Sequence, residues 1–149
     1  MRTLLRRVAA LAVLLLAASA QPTLAAGGHR LTGGGTASIS QVAMNVHFGG
    51  SGSATGSFEC LMAGRSAFVL PTFGLAHSMI VHATPTAGSV SGTTATFSGP
   101  GRLTLDGKTK QNVHVVVKVD VATQMFRLTV VEVGPMPLET MRSGHLSLH

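Results

Sequence analysis

The chain has 149 residues, with eleven Lys and Arg, five Asp and Glu, seven His, a single Cys and neither Trp nor Tyr. One cysteine excludes an internal disulfide framework. Scattered cations without stacking aromatics exclude an ordinary nucleic-acid interface, which needs a basic stripe and π surfaces.

Arg2, Arg6 and Arg7 precede an apolar run over residues 8–18, and small residues with a proline follow, Ala18-Ser19-Ala20-Gln21-Pro22-Thr23-Leu24-Ala25-Ala26. A positive start, a short apolar core and a small-residue exit are the parts of a secretory signal peptide. Residues 1–25 are therefore expected to be removed on export, with cleavage anywhere from 20 to 26 and the later site preferred. Eleven apolar residues are too few for a hydrocarbon core that needs about 20. No cysteine lies near either cleavage site, so no lipid anchor is expected. Without the three leader arginines, eight basic side chains face five acidic ones, which removes most of the case for an anionic polymer as partner.

Residues 26–149 read as one secreted β-domain, large enough for a single core. The strands announce themselves by period two. Val42, Met44, Val46 and Phe48 alternate with Gln41, Ala43, Asn45 and His47. Phe58, Cys60 and Met62 alternate with Ser57, Glu59 and Leu61. Further on, Val113, Val115, Val117 and Val119 alternate with Asn112, His114, Val116 and Lys118, and Phe126, Leu128 and Val130 with Arg127, Thr129 and Val131. Such alternation marks half-buried antiparallel strands, with the first-named set of each inside. Gly49-Gly50-Ser51-Gly52-Ser53, Ser91-Gly92, Gly99-Pro100-Gly101 and Asp106-Gly107 read as the turns between strands. Gly134-Pro135-Met136-Pro137-Leu138 reads as a proline-broken crossing before a last short strand at His145.

The expected fold is all-β, an antiparallel meander, closed or nearly closed as a β-barrel, with a β-sandwich as the alternative. Closure removes exposed edges, so the strand near Leu31 should pair with the one holding Leu146 and Leu148. Six Phe and polar outer faces make no aromatic girdle, so no membrane-embedded barrel is expected after the leader is removed.

From His29 to His149 the chain resembles a group of small secreted bacterial β-domains of unknown biochemical role, the post-COAP type. The matching pieces are Leu31-Thr32-Gly33-Gly34-Gly35, Val90-Ser91-Gly92-Thr93-Thr94-Ala95-Thr96-Phe97-Ser98-Gly99 and Ser143-Gly144-His145-Leu146-Ser147-Leu148-His149, with the Val-rich strand ending at Asp120. The resemblance implies a secreted compartment and a β fold, and it implies no activity. Where that group carries aromatic-x-Asp-His, this chain reads Phe73-Gly74-Leu75-Ala76-His77, keeping the histidine without the aspartate.

No catalytic motif is present: no G-x-S-x-G, H-E-x-x-H, G-x-G-x-x-G or P-loop. Histidines, methionines and Cys60 are the residue types of a soft-metal site, but their spacing, without any H-x-H, supports none. No cofactor or metal is expected. Cys60 lies on an inward face and reads as a buried, inert thiol. Glu59 reads as solvent-facing, and Glu139 is set aside because of its broken segment. His77 and Glu132 remain as candidate binding residues, because strict alternation turns both inward, where each could satisfy the other. The expected function is an exported, non-enzymatic binding or structural module of the cell envelope or extracellular space. The alternatives are a small-ligand-binding barrel with an interior pocket and an enzyme using His77.

Overall fold

The structure, a computed structural model, describes residues 28–63 and 78–149. These form eleven strands: β1 His29–Thr36, β2 Gln41–Phe48, β3 Ala54–Ala63, β4 Ser78–Ala83, β5 Ala87–Ser91, β6 Thr94–Leu105, β7 Lys108–Asp120, β8 Met125–Val130, β9 Gly134–Pro135, β10 Glu139–Thr140 and β11 His145–Leu148. All pair antiparallel in one sheet, in the order β10-β8-β7-β6-β4-β3-β2-β1-β11, with β5 beside β6 and β9 beside β8. The sheet curls into an open half-barrel. Among the described residues no helix is long and apolar enough to cross a membrane.

The alternation expected for four strands holds. Val113, Val115, Val117 and Val119 are buried, and Asn112, His114 and Lys118 are exposed. Val42, Met44, Val46 and Phe48 on β2, Phe58, Cys60 and Met62 on β3, and Phe126, Leu128 and Val130 on β8 complete one continuous core. Phe58 and Phe97 meet edge to face at its centre, ring centroids 5.7 Å apart. Each such aliphatic or aromatic side chain stabilises by about 1.5–3 kcal/mol when taken out of water. Because the pleat has a period of two, a one-residue slip would expose the whole set, so the core also fixes register.

Two features depart from the expected pattern. Gly99-Pro100-Gly101 is not a turn; it lies inside β6, opposite Val115, His114 and Val113. A Cβ on Gly99 would come within 2.0 Å of the Thr84 carbonyl oxygen, so the glycine permits a close strand approach rather than a reversal. Pro100 accepts the Thr84 N–H, so its missing donor faces the break between β4 and β5, where a ladder bond is not needed. The second departure concerns closure. β1 pairs with β11 as expected, Leu31 with Leu148 and Gly33 with Leu146. At Gly33, φ is 140° and a Cβ would come within 2.0 Å of the His145 carbonyl oxygen, so only glycine lets the strands meet there. The ladder nevertheless stops at β11 on one side and β10 on the other.

A side chain bridges that gap. Gln124 sits in the β7–β8 turn with φ 55°. Its Oε1 accepts the Leu146 N–H at 2.8 Å and its Nε2 donates to the Leu146 carbonyl at 2.9 Å. The primary amide thus takes the place of a strand residue. Its own carbonyl accepts the Met141 N–H at 2.9 Å. Replacing Gln124 by Leu leaves both Leu146 backbone groups without these partners, which should cost about 1–3 kcal/mol. Urea denaturation should show that loss and amide exchange should quicken at Leu146; unchanged stability and exchange would contradict the bridging role.

Candidate functional site

The two residues singled out for the interior fare differently. His77 lies outside the described residues. Glu132 is exposed: β8 ends at Val130, and residues 131–133 form a turn that takes the carboxylate out of phase with Leu128 and Val130. Both its oxygens accept the His114 N–H, at 2.9 and 3.0 Å. Glu132 therefore caps the end of the β7–β8 ladder instead of facing inward.

The buried acid is Glu139, 1% exposed. Pairing with Phe126 on β8 turns it into the core. Its Oε2 accepts the N–H groups of Ile39 and Ser40, both at 3.0 Å, and the Ser40 hydroxyl donates to the carboxylate at 2.8 Å from Oε1. Next to it, the Thr140 N–H donates to the Ser38 hydroxyl oxygen at 3.2 Å. Three donors satisfy a carboxylate that would otherwise be very costly to bury. No one-dimensional period reveals Glu139, since it follows two prolines; the only local hint is the hydroxyl pair in Ser38-Ile39-Ser40 that receives it.

Cys60 lies in the same interior. Burial pushes its thiol up to about 12, the neighbouring Ser40 hydroxyl pulls the other way, and the charges of Glu139 and then Glu59 add to the rise. A thiol so held is a packing group and a poor nucleophile.

Polar chemistry collects on the outer face. Register sets Ala43, Glu59, His82 and Arg102 side by side across β2, β3, β4 and β6. Glu59 Oε2 and His82 Nδ1 are 3.3 Å apart, with both side chains 54% exposed. On β7, Gln111 and Asn112 together oppose Arg102, a bulge with Asn112 at φ 61°. The bulge brings Asn112 to the rim of an open groove of about 600 Å³ floored by Ala43, Ser57 and Gly101. At its other end Arg30 Nε donates to Asn45 Oδ1 at 3.2 Å. The groove offers a carboxylate, an imidazole, a guanidinium and two amides to a polar ligand. Its ion pair stands in water, where such a pair stabilises by no more than about 1 kcal/mol, and nothing around it excludes solvent from a reacting group. Among the described residues, no three His, Cys, Asp or Glu side chains converge as metal ligands would.

No family model matches the chain, and no curated protein or solved structure matches it.

The state of Cys60 gives a signed expectation. Its folded pKa lies above the ordinary thiol value of 9.0, so between pH 9 and about 12 the folded chain keeps a proton that the unfolded chain releases. Stability should fall as pH rises through that window, and the fall should be smaller in Cys60→Ala. Iodoacetamide at pH 8 should leave the native thiol unmodified and label it once urea unfolds the chain. Fast native labelling would contradict the buried assignment.

Proposed function

We propose that the chain is exported and acts without catalysis, as a binding or structural module of the cell envelope or extracellular space. The observation that supports this best is the filled interior. Among the described residues, inward positions from Leu31 on β1 to Leu146 on β11 carry apolar side chains packed in one cluster, while the groove described above opens on the outer face. A ligand-binding barrel of this size would keep an apolar cavity of several hundred Å³ inside. The leader-like residues 1–25, and the resemblance to secreted post-COAP-type domains, support the compartment.

Intact mass of the protein recovered from outside the cytoplasm, measured under native and denaturing conditions, tests both halves. The denaturing mass should correspond to a chain beginning between Gln21 and Gly27, and the native mass should exceed it by nothing but solvent and salt. An uncleaved Met1 chain contradicts export through a leader. A stoichiometric adduct of a few hundred daltons, released only on unfolding, contradicts the filled-core module.

A further inference from the structure

We infer that the outer face of β7 and β8 binds a single anionic amphiphile, a carboxylate or phosphate head carrying an alkyl tail. Lys118 and Arg127 are direct cross-strand partners, and both are exposed. Like charges set opposite each other on one face destabilise a sheet, so the pair needs a counter-charge.

Among the described residues, no carboxylate of the chain forms an ion pair with either of them. Its acidic side chains number five, and all of them are described. Glu59 faces His82, and Asp106 receives the N–H and hydroxyl of Ser78. Glu132 accepts the His114 N–H, and Glu139 is buried against Ser40. Asp120, at the turn end of the same face, accepts the Ala122 N–H and the Thr123 hydroxyl, both at 3.0 Å. Hydrogen bonds from Thr93 and then Thr123 hold its carboxyl below the usual range, so it is ionised, and the face carries two cations against this one anion. On the β6 side the neighbour of Lys118 is Thr96, which is neutral.

The surroundings indicate what the anion is attached to. The two cations flank an open groove of about 450 Å³ whose other walls include Val116, Met125 and Leu138, with Asp120 at its turn end, so the groove keeps one net positive charge. Leu138 is 48% exposed, and the pairing of the next residue, Glu139, with Phe126 sets it on the Arg127 side of the face. Cations beside an apolar wall recognise a head and a tail together, which a bare anion or a neutral alkyl chain meets only in part.

This inference adds a ligand to the binding-module reading and uses the outer face alone. Octanoate below its micellar concentration, titrated into isotopically labelled protein, should give saturable amide shifts on β7 and β8. Acetate lacks the tail and octyl glucoside lacks the charge; each should bind at least about tenfold more weakly. The Lys118→Ser/Arg127→Ser variant should lose octanoate binding while keeping its far-ultraviolet dichroism, since it removes a repulsion rather than a core contact. Leu138→Ser should weaken octanoate binding and leave acetate unchanged. Equal binding of acetate and octanoate, or full octanoate binding by the double variant, would overturn the proposal. So would sedimentation with phosphatidylglycerol vesicles without any response to octanoate, which would assign the face to a membrane surface. An interior adduct in the intact mass contradicts only the filled-core reading, whereas an absent octanoate response contradicts only this groove.

Discussion

One buried carboxylate holds the two ends of the sheet together. The half-barrel ends at β10 on one side and β11 on the other, and these strands are too short to close it by a full ladder. Glu139, at the start of β10, receives the Ile39 and Ser40 N–H groups from the link between β1 and β2. A buried ion is tolerated only when its lone pairs are satisfied, so the Glu139 position and the conformation of that link determine each other. The Gln124 amide does the corresponding work at the far end of the seam, on β11. With both in place, the segment from 139 to 148 bridges β8 and β1 although no continuous ladder joins them.

What the sequence made legible was whatever a buried face dictates. The strands β2, β3, β7 and β8 each set one side against the core, and their alternation carried register as well as location. The errors share a cause. Gly99-Pro100-Gly101 looks like a turn because glycine and proline usually punctuate, yet here they accommodate the Thr84 carbonyl and the break beside it. Glu132 is in phase with Leu128 and Val130, but the strand stops at Val130 and the phase no longer applies. Glu139 went unseen because its inward direction comes from pairing with Phe126, a partner that only the fold supplies. The β1–β11 pairing was foreseen, but not the glutamine side chain that ties β11 to the β7–β8 turn in a sheet that stays open.

The filled core has a consequence for function. Among the described residues, inward positions contribute packing, and the buried polar cluster of Ser40, Glu139 and Cys60 joins elements. On the proposed reading recognition falls to the outer face, where short side chains leave shallow grooves between charged ones. One groove carries the Glu59–His82 couple with Arg102, the other the cross-strand pair Lys118 and Arg127. Among the described residues, neither shelters its groups from water.

The dependence of the seam on Glu139 is tested most directly by amide hydrogen exchange in Glu139→Gln. The substitution keeps the shape and one acceptor oxygen while removing the charge that strengthens three hydrogen bonds. The Ile39 and Ser40 amides should then exchange at least about tenfold faster, the rate change matching about 1.4 kcal/mol, with Val115 and Val117 on β7 much less affected. Exchange at Ile39 and Ser40 indistinguishable from the parent protein would contradict the account.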